Sequence, residues 1–464
     1  MKSNSLIDAF AAVKFFWLNL IRKDAAGYEE LAIRIYSGAG VAFLTQLAGY
    51  TIAYLANIFY ARWMGATEYG LFSYISAWTL LLATLAALEF PTVLLRFASE
   101  YAANSDWPSL LGLLKTSRLV VFLSGTSAAA IATLFALFLY LYSGSIYAAP
   151  LAVGAWIIPL WSMVYLHTAM GRVFEKIVIA YAPPRVLKPL LLMMFGAIYI
   201  STGRALTGTA LLCGTIISLI VVLGIQWLSL EKHPISAQIR KTAFSKHTRE
   251  WFQVAFNVLL VSGVFIVLQQ TNTLLLGIFL APDQVALYSA AAKTTQLMNM
   301  PALAMSAYAV PMFAILYAQK DLSGLQKVLS RTVAWSFWPS VIGAVVLAAG
   351  ASFFLGLFGS AFKAATPAVI VLALGALVIA GGGPVLMLLQ VTGYQAEAAR
   401  VIAISASVGF LFSIAGIYFL GITGAALATV ATSVLWVTWL NWLAGAKIGV
   451  YPSVLYTLKK QKPS

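Results

Sequence analysis

The chain has 464 residues, of which 61% are hydrophobic and 9% are charged, and its mean hydropathy is +0.90. This composition excludes a soluble globular domain and indicates a polytopic membrane protein. The net charge of +15 comes from basic residues spread over short segments between apolar stretches, which is typical of membrane topology and contact with anionic lipids, not of nucleic-acid binding. The single cysteine, Cys213, excludes an internal disulfide and a cysteine metal cluster.

Helices, not strands, are predicted along the chain. Residues 5–21 have apolar side chains at helical spacing, interrupted by Asp8 and Lys14, and we expect an interfacial amphipathic helix there. After it, apolar stretches of about 20 residues recur, which predicts an all-α polytopic fold with twelve transmembrane helices. The predicted spans are 37–61, 70–95, 118–142, 147–170, 185–202, 207–230, 252–280, 285–318, 332–357, 366–391, 400–420 and 422–446.

Basic residues predict the orientation of these spans. With a cytoplasmic N-terminus, 25 of the 29 Lys and Arg residues lie on the cytoplasmic side. Only Arg62, Arg204 and Lys363 lie on the opposite side, and Lys293 is alone within a span. The positive-inside rule therefore predicts a multi-pass protein of the cell inner (plasma) membrane with both termini cytoplasmic.

The two halves of the chain resemble each other at an offset of about 216 residues. DWPSLLGLLKTS from Asp106 matches DLSGLQKVLSRT from Asp321, and LTGTALL from Leu206 matches ITGAALA from Ile422. Six spans per half make this a parallel repeat, which predicts two six-helix lobes around a central cleft and alternating access between them. The predicted division is a cytoplasmic amphipathic segment 1–36, an N-terminal lobe 37–230, an inter-lobe loop 231–250, a C-terminal lobe 251–446 and a basic tail 447–464.

Lys293 is the principal candidate for substrate binding. It lies about nine residues inside the eighth span, roughly 13 Å deep in a hydrocarbon core of about 30 Å. A charge at that depth costs at least about 2.5–3.5 kcal/mol, so such residues usually face a protein-lined cavity. A cation there indicates an anionic cargo; the alternatives are a snorkelling lysine or one paired with a structural carboxylate.

Other polar residues within the spans are weaker candidates. Asn57, Gln270 and Asn272 lie on the equivalent first and seventh helices and are predicted to bind sugar hydroxyls, with interhelical hydrogen bonding as the alternative. Glu89, Arg96 and Glu100 share a helical stripe and form either a cytoplasmic gate or headgroup site, or an ion-pair ladder at the helix end. The remaining candidate is Arg62, which is placed at the periplasmic rim.

Enzyme activity is not expected. The chain has no GxxxxGK[ST] loop, no HExxH or GxSxG motif and no loop between spans much longer than 20 residues. No cofactor or metal is predicted, and the sequence does not identify a coupling ion, whether H⁺ or Na⁺.

Two stretches resemble a known family. ARWMGATEYGLFS (61–73) and LLATLAALEFPTVLLRFASEYAA (81–103) are similar to the opening of the polysaccharide transporter family, the Wzx-like oligosaccharide flippases of the multidrug/oligosaccharidyl-lipid/polysaccharide exporter (MOP) superfamily. Gly171-Arg172 and Gly393-Tyr394 also fit the family's habit of closing those helices with glycine. The resemblance covers residues from about 35 to 446.

The resemblance implies that the chain flips a polyprenyl-pyrophosphate-linked oligosaccharide to the outer leaflet for O-antigen, capsule or exopolysaccharide assembly. Polysaccharide polymerase machinery is then an expected partner. Lys293 would be the pyrophosphate-binding cation, although such flippases are expected to carry several cations in the cavity. The alternative is a cation-coupled multidrug antiporter of the same superfamily, which would need buried carboxylates. A peptidoglycan-precursor flippase is expected to have fourteen spans, and a membrane polymerase or ligase would need a large outer loop.

Overall fold

The computed structural model describes residues 29–232, 245 and 247–456. The amphipathic helix predicted at 5–21, most of the predicted inter-lobe loop and the end of the basic tail lie outside these residues. Nearly all described residues are helical, and this part of the chain contains no strand. The all-α prediction is therefore confirmed.

The helices follow one another with short connections. They are α1 (Glu29–Ala86), α2 (Phe90–Ala103), α3 (Trp107–Ser143), α4 (Ala148–Gly154), α5 (Ile157–Val173), α6 (Ile177–Ala182), α7 (Lys188–Ser201), α8 (Gly208–Glu231), α9 (Thr248–Phe279), α10 (Pro282–Gln296), α11 (Met300–Ala318), α12 (Leu322–Gly356), α13 (Thr366–Gly382), α14 (Val385–Val391) and α15 (Gln395–Ile448). A π-helical turn, Pro183–Leu187, joins α6 to α7, and 3₁₀ turns lie at Leu297–Asn299 and Ser360–Ala365.

Ten helical segments among the described residues are long and apolar enough to cross a membrane. Two of them, Gly40–Ala103 with 64 residues and Gln395–Ile448 with 54, are long enough to cross twice. Each contains a glycine with positive φ, Gly65 at 76° and Gly421 at 56°, a conformation that side-chain-bearing residues adopt with strain. Division at these glycines makes the fold compatible with the twelve predicted spans.

The paired segments after Asp106 and Asp321 fold alike. Each aspartate caps a long helix, Asp106 accepting from the backbone N–H of Ser109 at 3.1 Å and Asp321 from that of Gly324 at 2.8 Å. Ser105 and Lys320, immediately before them, both have positive φ, of 55° and 58°. The sequence repeat thus coincides with two helix starts of the same geometry.

Helices α1 and α10 pack against each other where the N-terminal half of the chain (residues before 231) meets the C-terminal half (residues after 250). Gly70 of α1 lies so close to the backbone carbonyl of Pro282 that a Cβ would collide with it. Tyr69 and Ile75 from the first half share a buried cluster with Val285 and Phe358 from the second. This contact sets the position of the charged residue on α10.

Candidate functional site

Lys293 lies on the face of α10 that packs against α1. Its Nζ donates to Asn57 Oδ1 at 2.6 Å and to the hydroxyl of Tyr69 at 3.2 Å. The Tyr69 hydroxyl in turn donates to Asn57 Oδ1 at 3.1 Å, so the three polar groups form a triangle between the two halves. The Nζ also lies 5.3 Å from the centroid of the Tyr69 ring, a cation–π contact.

The partners of Lys293 are neutral. Asn57 and Tyr69 orient the ammonium and solvate it, but neither cancels its charge. In the part of the chain that the structure describes, the one ion pair joins Arg118 to Glu231 at 3.1 Å, and Lys293 has no carboxylate partner. An ammonium has three N–H donors, of which two are used here. Lys293 is therefore equipped to bind one further acceptor, and an anion is the acceptor that its charge favours.

A second lysine lies within a membrane-spanning segment. Lys188 begins α7 near the middle of the span Ile177–Ser201, and its Nζ lies 4.1 Å from the centroid of the Trp161 ring. The expectation that Lys293 is alone within the membrane was wrong. The predicted span begins at 185, whereas in the structure the helical segment begins at Ile177 and continues through Pro183 and Pro184 by the π-helical turn.

Lys188 extends the positive charge around Lys293. Lys188 lies near Lys293, and Arg185 lies near Lys188, so that Lys293, Lys188 and Arg185 form a cationic group. The Arg185 guanidinium lies 5.7 Å from the centroid of the Tyr50 ring. The sequence indicates this inward position of Lys188, because the apolar run IVIAYA (177–182) directly precedes the two prolines and lengthens the span at its start.

A cavity of about 470 Å³ opens on the C-terminal half beside this cationic group. Asn272, predicted as a ligand, lines it and donates from Nδ2 to the hydroxyl of Thr429 at 2.7 Å. Tyr50 lines the same cavity from the N-terminal half. Gln270 is half-buried on α9 and does not line the cavity, whereas its neighbour Gln269 does. Asn57 is therefore part of the Lys293 site, whereas Asn272 lines a separate cavity.

The stripe predicted from Glu89, Arg96 and Glu100 is interrupted. Glu89 precedes α2 with a left-handed φ of 56°, and its carboxylate accepts from Ser262 at 2.5 Å and from Thr92 at 2.6 Å. Arg96 on α2 lies over the ring of Phe97 at 5.2 Å. The Glu89–Ser262 bond links α2 to α9 and hence the two halves, at the end opposite Arg62.

Arg62, expected at the periplasmic rim, also bridges the halves. Its Nε donates to the backbone carbonyl of Leu357 at 2.6 Å, at the end of α12. Because this carbonyl is one of the unsatisfied acceptors at a helix C-terminus, a guanidinium is a favourable partner for it.

Comparison with known proteins identifies the family. The sequence pattern of the polysaccharide biosynthesis protein family matches residues 35–316, which is more than half of the chain. The chain belongs to the polysaccharide biosynthesis protein family. This is the family of Wzx-like flippases, and the resemblance found in the sequence is confirmed. No curated protein matches the sequence significantly.

Solved structures support the fold. An inward-facing multidrug resistance MATE family transporter of the MOP superfamily is 14% identical, with a TM-score of 0.72 over 91% of this chain and 99% of that one. An outward-facing MATE transporter of the same superfamily is 14% identical, with a TM-score of 0.63 over 92% and 96%. A MOP superfamily transporter from Pyrococcus furiosus, described as having a binding pocket of reverse polarity, is 14% identical, with a TM-score of 0.63 over 89% and 95%.

This member of the polysaccharide biosynthesis protein family is therefore a multi-pass membrane protein with the MOP fold. Its family and its structural neighbours are transporters. Among the described residues, no group of His, Cys, Asp and Glu is arranged to hold a metal ion.

Proposed function

We propose that this protein moves polyprenyl-pyrophosphate-linked oligosaccharide from the inner to the outer leaflet of the cell membrane by alternating access, for assembly of a cell-surface polysaccharide. The observation that carries the proposal is Lys293, a membrane-embedded ammonium held by the neutral groups of Asn57 and Tyr69. Lys188 adds a second positive charge nearby. A pyrophosphate that crosses a membrane needs such charge to replace its hydration.

Lysine suits a step in which the anion must be bound and then released. Its ammonium is a compact point charge, whereas arginine clamps phosphate with two parallel hydrogen bonds. The bonds to Asn57 and Tyr69 fix the ammonium at the junction of α1 and α10, where the two halves meet. Movement of the halves against each other would therefore alter the surroundings of a bound pyrophosphate directly.

The carboxylates favour a flippase over a cation-coupled multidrug antiporter. An antiporter for cations needs an acidic group free to bind them. Glu68 instead accepts from the backbone N–H of Gly208 at 2.7 Å, at the start of α8, and Glu89 is bonded to Ser262 and Thr92. The charge between the halves is positive, which is the wrong sign for cationic drugs.

A strain that lacks the gene tests the proposal. The strain is fed radiolabelled sugar, its lipid-linked oligosaccharides are extracted, and their sidedness is measured with an externally added glycan-modifying enzyme. We expect single repeat units on polyprenyl pyrophosphate to accumulate out of reach of the enzyme. Reintroduction of the intact gene should reverse the accumulation.

A matched pair of variants assigns the effect to the site. Lys293→Ala should fail to reverse the accumulation, whereas Lys363→Ala, which alters an exposed lysine outside the cationic group, should reverse it. If the deletion causes no accumulation but sensitises cells to cationic dyes, the flippase proposal is wrong and the antiporter takes its place.

A further inference from the structure

The cavity beside the cationic group differs from it in charge. The cavity is lined by residues of α9 to α15 and by Tyr50, and it contains no charged side chain among the described residues. Its volume of about 470 Å³ lies within the range of small-molecule sites. Positive charge thus lies on one side of α10, and an uncharged, largely apolar cavity with several polar groups lies on the other.

The polar groups of the cavity are arranged to exchange hydrogen bonds with a ligand. Asn272 Oδ1 is buried and accepts no hydrogen bond from any described residue. The Thr429 hydroxyl accepts a hydrogen bond from Asn272 Nδ2 at 2.7 Å and also lies 3.2 Å from the Tyr288 hydroxyl. A buried acceptor without a partner costs about 1–3 kcal/mol, so Asn272 gains a hydrogen bond if its side chain turns toward a hydroxyl-bearing ligand in the cavity.

Neutral amides and aromatic rings lie among the apolar side chains that make up most of the lining. Gln269, Gln296 and Asn299 each present a side-chain amide, which both donates and accepts. Trp436 and Tyr50 supply aromatic surface. Amides beside aromatic rings match the alternating hydroxyl and C–H surfaces of a sugar ring, whereas a hydrocarbon chain would leave the amides unsatisfied.

We infer that this cavity is a second subsite, which binds uncharged sugar residues of the cargo apart from the site that binds its pyrophosphate. The inference rests on the proposed function. One helix connects the subsites: Tyr288 and Gln296 of α10 line the cavity, while Lys293 between them points toward α1. Tyr288 and Lys293 are five residues apart, about 7.5 Å along the helix axis.

Tyr50 provides a second connection between the two subsites. Its side chain lines the cavity, and its ring lies 5.7 Å from the guanidinium of Arg185 in the cationic group. A ligand with an anionic end and a neutral end joined to it can therefore contact both subsites at once. A sugar carboxylate would find no cation in the cavity, which selects for hexoses and N-acetylhexosamines over uronic acids at this position.

Binding of two natural lipids to the purified protein in nanodiscs tests the inference. One probe is the lipid-linked oligosaccharide extracted from the deletion strain, and the other is sugar-free undecaprenyl pyrophosphate. Thr429→Val removes the central hydroxyl without a change of shape, and Thr438→Val is its matched control on an exposed face of α15. Asn272→Leu is a second test variant, independent of Thr429.

We expect Thr429→Val and Asn272→Leu to weaken binding of the lipid-linked oligosaccharide about tenfold, the effect of one or two lost hydrogen bonds. Both variants should bind sugar-free undecaprenyl pyrophosphate within about twofold of the wild type, and Thr438→Val should match the wild type for both lipids. Unchanged oligosaccharide binding, or an equal loss for both lipids, overturns the second subsite while the flippase proposal stands. A wild-type protein that binds neither lipid overturns the flippase proposal itself.

Discussion

Arg62 of α1 donates to the backbone carbonyl of Leu357 at 2.6 Å and so connects two residues 295 positions apart. Close packing surrounds this bond. Phe358, next to Leu357, lies 5.7 Å from the ring of Tyr54 and 6.5 Å from that of Tyr69. Together these contacts hold the two halves against each other on the predicted outer side. The two halves are therefore packed together at the end that carries Arg62, which is predicted to be the outer end.

Loss of the Arg62 bond should shift the protein toward an outward-open state. We expect Arg62→Ala to raise the outward-open population about fivefold, because one charge-assisted hydrogen bond supports the closed end. Spin labels at Thr202→Cys and Ser360→Cys, both exposed at that end, in a Cys213→Ser background, would report it as a longer mean distance by electron paramagnetic resonance.

Arg204 is the control for the loss of positive charge without the loss of the bond to Leu357. It is exposed at the same predicted end, and Arg204→Ala should leave the distance distribution unchanged. An identical shift in both arginine variants would mean that net positive charge, not the bond to Leu357, holds the outer end closed.

Replacements of Lys293 should separate the effect of its charge on export from the effect of its hydrogen-bond geometry. We expect Lys293→Ala to reduce export of the lipid-linked oligosaccharide more than tenfold, because the bonds to Asn57 and Tyr69 are lost together with the charge. Lys293→Arg should retain part of the activity, since it keeps the charge but not the compact ammonium. Export is measured as surface polysaccharide at matched protein levels, and normal export by the alanine variant would make Lys293 structural.

Hydropathy predicted the fold well because it acts locally along the chain. Spans of apolar residues have to form helices in lipid, where every backbone group must be satisfied internally. The breaks at Gly65 and Gly421 fall where the predicted spans ended, at 61 and at 420. The parallel starts of α3 and α12 were visible because an aspartate cap is a sequence-local device.

The site was predicted less completely, since it depends on which helices meet. Lys293 stood out by itself, but its pairing with Asn57 spans 236 residues and follows from the packing of α1 on α10. Lys188 was counted with the cytoplasmic cations, three residues after the predicted start of its span at 185. Here the π-helical turn Pro183–Leu187 continues the helix and carries Lys188 inward.

This inward position predicts a function for Lys188. We expect Lys188→Ala to reduce export several-fold, less than Lys293→Ala, because its ammonium contributes charge while it stacks on Trp161 at 4.1 Å. Lys176→Ala is the matched control, since that lysine caps the carbonyl of Ser229 at 2.7 Å, away from the cationic group. Surface polysaccharide at matched expression is again the measurement, and equal effects of the two variants would contradict a transport function for Lys188.

Asp321 should make the start of α12 sensitive to acid. The backbone N–H of Gly324 and the hydroxyl of Ser323 hold the pKa of Asp321 below its usual value of 3.8. The stabilisation is therefore complete above pH 3.8 and is lost as the pH falls through the lower folded pKa. We expect the wild type to have a slightly higher Tm than Asp321→Asn at pH 7, and this difference to vanish in strong acid. A difference that persists below pH 3 would contradict the linkage.

Asn57→Asp is the sharpest test of the anion site, because it changes one atom of the amide to oxygen and adds a charge. The new carboxylate would lie at the position of Asn57 Oδ1, 2.6 Å from Lys293 Nζ, and would pair with the ammonium. If Lys293 served packing alone, this ion pair would be tolerated and export would be normal. If Lys293 binds the cargo, the carboxylate competes with pyrophosphate and repels it, so we expect export to fall at least tenfold while the protein remains folded. Asn57→Gln keeps the amide and adds one methylene, and it measures how much of that loss is due to geometry. A double variant, Asn57→Asp with Lys293→Ala, should be no better than either single variant, since an uncompensated carboxylate then faces the anionic cargo.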